Sequence, residues 1–416
     1  MKHYFKQSTL ALVFILFSCY LGAQVKNPFD LTEKKLDQLV KLIGNKRIVA
    51  IGEDTHGTSE FYQFREALTK KLIREKGFNV FVLENPHEDM LALQEGLKKE
   101  TLDTLMKRHL FSIYQTEEMK SFLSWVKTSN RSIRLTGCDD SYREILPEKI
   151  GQETKQYKIP VLDSLVSDFT NRQTLSIKKY YQLAGHLADK LPNDLQYGYD
   201  TYLTVLKMDS VISAQKISNR RLQELVFHAK TNYEIYRALK NKQYVSRDSL
   251  MAARVNWFAT NKNNKIIVWA HNAHITRKSL DEEIGKMGET ISIQNPGQYF
   301  AIGLATAKGS YSYMTNNFIN DDHNFSDTLF NADLLPMKEG SWHNYLKTAS
   351  PGNYYIHLSK LNKQNAEFFN KVKPFRAIGY KKENPERAYY NVALRPLFDL
   401  LVFYQNTHAT TQVGSK

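Results

Sequence analysis

Arg47-Ile-Val-Ala-Ile-Gly-Glu-Asp-Thr-His-Gly-Thr-Ser-Glu60 decides how this chain is read. Its first half is a short apolar run closing at Gly52, as a strand buried on both faces requires. From Ser59 to Lys76 the pattern changes to a helical stripe of Phe61, Phe64, Leu68, Leu72 and Ile73. Thr58 or Ser59 suits the N-cap and Gly77 the position after the last turn. The turn between strand and helix therefore carries Glu53, Asp54 and His56. In α/β folds such turns lie at the carboxyl edge of the sheet, where ligands bind.

Working outward, the same alternation recurs. Asn79–Asn85 is a second apolar strand ending in Glu84, and Ser132–Asp139 a third with a polar end. Lys265–Ala270 is a fourth, running directly into His271-Asn-Ala-His274. Further strands are expected at 298–306, 353–358, 375–380 and 397–405. The Gly-, Asn-, Asp- and Ser-rich 307–339 reads as exposed loop with room for one antiparallel hairpin. Helices are expected at Leu31–Leu42, Met90–Lys98 and Glu117–Lys127. A further series covers Tyr157–Asp168, Leu175–Leu191, Leu195–Met208, Ile217–Leu239 and Asp248–Asn261. The expected fold is α/β: a mixed, largely parallel central sheet flanked by helices, with a large helical insertion forming one wall of a cleft. Its parts are 24–146, first section of the core; 147–261, helical insertion; and 262–416, second section of the core.

Residues 1–23 have the form of an export signal: Lys2 and Lys6, an apolar Leu10–Phe17, then Leu21-Gly22-Ala23 before Gln24. The apolar run is short for a bilayer span. Cleavage after Ala23 is preferred to lipoprotein processing at Cys19, whose flanking Phe17 and Ser18 make a loose lipobox. An exported, periplasmic or envelope location is expected, with no stable transmembrane segment in the mature chain and a monomeric state. Removing this segment would lower the formal charge from +14 by the two lysines and leave Cys138 as the lone cysteine, which excludes a disulfide scaffold.

The 416 residues, 42% hydrophobic and 12% aromatic, can bury a sizeable core. The basic residues are scattered rather than blocked, and no zinc finger or helix-turn-helix accompanies them, so nucleic acid is not the expected partner. A small-molecule substrate is. No Gly-x-Ser-x-Gly, Walker lysine or dinucleotide fingerprint occurs, and Cys138 stands beside Asp139 and Asp140, which disfavours a thiolate.

Three strand ends thus deliver Glu53 and His56, Glu84, and His271 and His274. Buried charges are costly unless compensated, so five such groups at one edge should pair with each other or face a ligand. His56 can take a proton from water, with Glu53 or Glu84 holding its other ring nitrogen. His271 or His274 can donate to a developing oxyanion or a leaving group. The same residues also admit a divalent metal, His271-x-x-His274 having ligand spacing; the metal-independent reading is preferred, with no metal and no cofactor assigned. A non-catalytic envelope protein binding a hydrophobic ligand is the third reading. Arg247 is a candidate anion or carbonyl donor in the cleft, beside Asp248 as a helix cap, and His343 is a further pocket candidate. His87, His109, His186, His228, His323, His357 and His408 lack a strand-end setting and are read as structural or surface residues.

Gly52-Glu-Asp-Thr-His-Gly57, Val82-Leu-Glu-Asn-Pro86, Arg247-Asp-x-x-Met-Ala252 and Val268-Trp-Ala-His-Asn-Ala-His-Ile275 resemble the erythromycin esterase family. Arg376-Ala-Ile-Gly379 and Phe398-Asp399 are weaker matches. The resemblance implies an α/β core with a large helical portion and a deep cleft. It implies hydrolysis of a carboxylic ester, the macrolactone of a 14-membered macrolide, as in macrolide-resistance esterases. His56 takes the position of the water-activating base, and Glu53, Glu84, His271 and His274 match other site residues. Asp54 stands where the family often has alanine. The export signal is a departure, because resistance esterases act in the cytoplasm.

Overall fold

A computed structural model describes residues 32–140, 145–183, 192–280, 286–315 and 328–414. The expected signal segment with Cys19, together with His186 and His323, lies outside them. The sheet strands are β1 (Ile48–Ile51), β2 (Val80–Pro86), β3 (Arg134–Asp139), β4 (Ile266–Trp269), β5 (Tyr299–Met314), β6 (Leu329–Asp333), β7 (Tyr354–His357) and β10 (Leu400–Thr407). They run in the order β3-β2-β4-β1-β5-β10-β7, with β6 paired to the far end of β5. Neighbours from β3 to β10 are parallel; β7 and β6 are antiparallel additions. This is the expected mixed, largely parallel α/β sheet. Two short strands, β8 (Lys373–Arg376) and β9 (Tyr389–Val392), pair separately.

The apolar runs are explained by burial on both faces. Val49 and Ile51 of β1 enter one hydrophobic core with Phe61, Phe64 and Leu68; Ile48 and Ala50 enter a second core on the opposite face with Val255 and Phe258. Alternation on a pleated strand produces this division. The helix Ser59–Lys76 begins after Thr58 and ends at Gly77 in the left-handed conformation, as the sequence predicts.

Between β3 and β4 the chain is helical: Ile145–Thr154, Pro160–Leu183, Pro192–Ala214, Arg220–Lys240 and Arg247–Ala259. The first four pack around a third core with Phe169, Val205, Leu225 and Tyr233. One helix, Pro160–Leu183, replaces the two expected there, and residues 184–191 lie outside the described set. Two other expectations change. β5 continues eight residues past its predicted end to make the hairpin with β6, and the strand expected at 375–380 is β8, paired off the main sheet. No helix among the described residues is long and apolar enough to cross a membrane.

The topology explains why the three polar strand ends meet. β2, β4 and β1 are adjacent, and Leu83, Trp269 and Ile51 are level across them. Glu84, His271 and Glu53 follow one or two residues later, at the same carboxyl edge.

Candidate active site

Glu53 is fully buried. The Nδ1–H of His56 donates to its Oε1 at 2.8 Å, and Arg65 binds its Oε2. Arg65 comes from the helix Ser59–Lys76, on whose inner face it is also fully buried. Its guanidinium lies 4.9 Å from the ring centre of Trp269 and 5.4 Å from that of Tyr62, where aromatic faces support the charge. Burial pushes the Glu53 carboxyl up, but Arg65 and His56 outweigh it, and the group sits below its ordinary range as a carboxylate. With Nδ1 committed to Glu53, the lone pair of His56 is on Nε2. Tyr114 Oη lies 3.2 Å from the same Nδ1, and the His271 ring centre 5.2 Å from that of His56.

Glu84 has a second set of partners. Its Oε2 accepts from the backbone N of His271 at 2.8 Å, and its Oε1 lies 3.2 Å from His274 Nε2 and 3.3 Å from Arg247 Nη2. The other ring nitrogen of His274 meets Asp248 Oδ1 at 2.8 Å. Burial alone would lower the His274 pKa, but two flanking carboxylates raise it to about 10, so it is an imidazolium at neutral pH. Burial likewise raises the Glu84 pKa, yet His274, then His56 and Arg247, hold it well below the usual carboxylate value.

His271 is the opposite case. Burial, then the neighbouring His56, lowers its pKa to about 4, so it is neutral. Ala273 N donates to its Nδ1 at 3.3 Å, which places the proton on Nε2, donating to Asp54 O at 3.0 Å. Gly379 N also lies 3.2 Å from Nε2. Its N–H is directed at this ring nitrogen, and a space opens beside His271.

That space is a cavity of about 390 Å³, within the ordinary range for small-molecule sites. Arg247, His271, His274, Gly379, Tyr244 and Tyr390 line it. Arg247 enters from the helical insertion, clamped on Asp139 by two hydrogen bonds while its side chain remains 45% exposed. Its Nη1 lies 3.4 Å from His274 Nε2, and the side chain lines the cavity. Glu53, His56 and Glu84 are not among the lining residues; His56 and Glu84 bond to them, and His56 is only 5% exposed.

All five strand-end residues therefore come together, and Arg247 joins them. His343 does not reach the cavity: it is fully buried, and its Nε2 lies 3.2 Å from Asp54 Oδ2, behind the turn. Asp54 is also fully buried, and burial raises its pKa less than Arg376 and His343 lower it, so it is held as a carboxylate facing away from Glu53. Asp248 does not cap its helix, since Ser246 accepts from Ser249 N; it orients His274 instead. Asp399 of the late motif binds Arg277 and the backbone of Ala301. Burial and Asp139 push the Cys138 thiol well up, which leaves it without a thiolate.

Sequence reading missed Arg65, Tyr114, Asp139 and Asp248's role toward His274. Arg65 had a signal: it falls on the stripe of Phe61, Leu68 and Leu72, where an arginine needs a buried partner. Asp139 had one as well, being the acid at the end of a third apolar strand. Tyr114, in a short 3₁₀ turn at Ser112–Tyr114, had none.

The fold and this edge of paired carboxylates and histidines define an esterase-like hydrolase architecture. Residues 73–407 match the family model described as erythromycin esterase, and the chain belongs to that family. The matched span begins after the Glu53–His56 turn. YbfO of Bacillus subtilis is 24% identical over 395 residues, covering 87% of this chain and 85% of its own. Erythromycin esterase type II of Escherichia coli is 22% identical over 380 residues, 84% of this chain and 89% of that one. Among solved structures, a succinoglycan biosynthesis protein superposes with a TM-score of 0.78 at 18% identity, over 95% of this chain and 98% of its own. An erythromycin esterase mutant in its open conformation gives 0.66 at 18%, over 92% and 96%. At these identities the structural likenesses establish the fold.

Proposed function

We propose that this protein cleaves a carboxylic ester with water activated by His56, and that its substrate is the macrolactone of a 14-membered macrolide such as erythromycin. The observation carrying the reaction type is the buried Glu53–His56 pair, backed by Arg65. Glu53 fixes the tautomer that leaves Nε2 as the base, and its charge stabilises the imidazolium formed when a water gives up its proton. The hydroxide attacks the ester carbonyl. The Arg247 guanidinium, at the cavity wall, is the donor for the resulting oxyanion. His271 or His274 was expected to serve the oxyanion or the leaving group. His271 is held on backbone groups, while His274, an imidazolium that lines the cavity, gives the proton it shares with Glu84 to the leaving alkoxide.

The macrolide assignment rests on the family and on the relative named for erythromycin. The metal alternative finds less support at this edge. His271 has both ring nitrogens on backbone groups and His274 has both on carboxylates, so neither turns a lone pair toward a shared ion. An envelope location is part of the proposal, and fractionation of cells producing the full chain tests it. For the substrate, purified protein is incubated with erythromycin and with simple aryl esters. The proposal expects a ring-opened product heavier by one water; turnover of aryl esters alone would remove the macrolide and keep the esterase.

A further inference from the structure

Away from the cavity, three ionisable side chains meet where the helical insertion packs on the core. His87 is the first residue of the helix His87–Gly96, directly after β2. Glu224 and His228 stand one turn apart on Arg220–Lys240 and face the same way. All three are buried, with exposures of 1%, 3% and 0%. One ligand-type atom from each lies within 4.8 Å of the others, the only such trio of His, Cys, Asp or Glu among the described residues.

Their hydrogen bonding is incomplete in a specific way. His87 Nδ1 is bonded to Thr136 Oγ1 at 2.7 Å, which fixes the ring and turns Nε2 toward Glu224 Oε1, 3.4 Å away. Arg134 holds the same Glu224 oxygen. His87 Nε2 and both ring nitrogens of His228 have no hydrogen-bond partner at all. The two imidazoles lie face to face, centres 3.4 Å apart and planes 2° from parallel. Buried polar atoms are almost always satisfied by protein or by a bound water or ion. A ring with both nitrogens orphaned in the interior calls for something that binds there.

We propose that His87, Glu224 and His228 form a metal site for Zn²⁺ or a similar borderline divalent cation, joining the helical insertion to the helix that directly follows β2, the strand of Glu84. Two imidazoles and a carboxylate are a donor set that suits zinc, with one tetrahedral position left for a water. Thr136 on His87 and Arg134 on Glu224 are the outer partners that orient such ligands. Imidazole lone pairs lie in the ring plane, so two stacked rings cannot both aim at one ion, and coordination requires one ring to turn. The site is separate from the ester chemistry, and its presence or absence leaves that reading unchanged.

Cobalt(II) chloride titrated into metal-stripped full chain is the test, followed by visible absorption. One equivalent is expected to give the intense band of tetrahedral cobalt, with loss of that band in His228→Phe and Glu224→Gln. Zinc chloride is expected to raise the unfolding midpoint of the parent but not of these variants. Should both variants fail to fold, an anomalous difference map of the parent at the cobalt edge decides the matter. A peak about 2.0–2.2 Å from His228 and His87 nitrogens supports the site. Absence of any band or peak, density for water alone, or a peak beside His271 and His274 would overturn it.

Discussion

Glu53 holds a charge where a lone carboxylate would be neutral, and it does so because Arg65 and His56 close on its two oxygens. Removing the base is the plainest consequence. His56→Ala should leave the far-UV spectrum intact and lower ester turnover by roughly 10²–10⁴, the usual contribution of a general base. Arg65→Met tests the support rather than the base. It leaves the buried Glu53 with His56 as its remaining partner on that side chain, and removing one member of a buried pair costs about 3–5 kcal/mol. Urea unfolding should show that loss together with lower turnover; unchanged stability would mean that Arg65 does not carry the pair. The five reacting candidates were legible because apolar strands ended in ionisable groups. What the sequence hid was pairing. It shows that a histidine and two acids share an edge, but not that Asp54 turns backward to Arg376 and His343 while Glu53 turns forward to His56.

At the scale of elements, the Gly52–Gly57 turn is shaped by two close approaches. A Cβ on Gly57 would sit 2.0 Å from the carbonyl O of Ser312 in β5, whose N–H donates to Gly57 O at 2.8 Å. A Cβ on Gly52 would meet Asn272 Oδ1 at 2.1 Å; that amide in turn bonds both backbone groups of Leu304. The asparagine of His271-Asn-Ala-His274 therefore seats the turn against β5. Gly57→Ala should cost about 1–3 kcal/mol or more through overpacking against backbone and should displace His56. Gly77→Ala meets open space and carries only the strain of φ +70°, on the order of 1 kcal/mol, with turnover unchanged. Equal effects from the two would contradict this account of the turn. The core strands were readable because burial on both faces leaves continuous apolar runs. The outer half of β5 was readable only as room for a hairpin: Lys308-Gly-Ser-Tyr-Ser312 has a loop composition, and pairing with β6 and β10 makes it a strand.

Across the whole molecule, two histidines held in opposite protonation states should shape stability against pH. His274, raised to about 10 from an ordinary 6.5, contributes fully below pH 6.5 and loses that contribution as pH climbs toward 10. His271, lowered to about 4, contributes fully above pH 6.5 and loses it as pH falls toward 4. Each limb has a limiting slope of about 1.4 kcal/mol per pH unit. These two groups therefore place a stability maximum near pH 6.5, and Glu84 adds a further loss only in stronger acid. Unfolding midpoints across pH 4–10 check the maximum, and His274→Asn should flatten the alkaline limb relative to the parent. Helical insertion and sheet order belong to this scale too. The insertion was legible as an overlong helical crossover, whereas the return of β4 between β1 and β2, which brings the three strand ends together, depends on packing that no single segment records. The central claim is that water held at His56 opens the ester. Erythromycin turned over in oxygen-18 water should give a ring-opened acid carrying one heavy oxygen, with the product missing in His56→Ala. Turnover that His56→Ala leaves unchanged, or a product without the heavy oxygen, would contradict it.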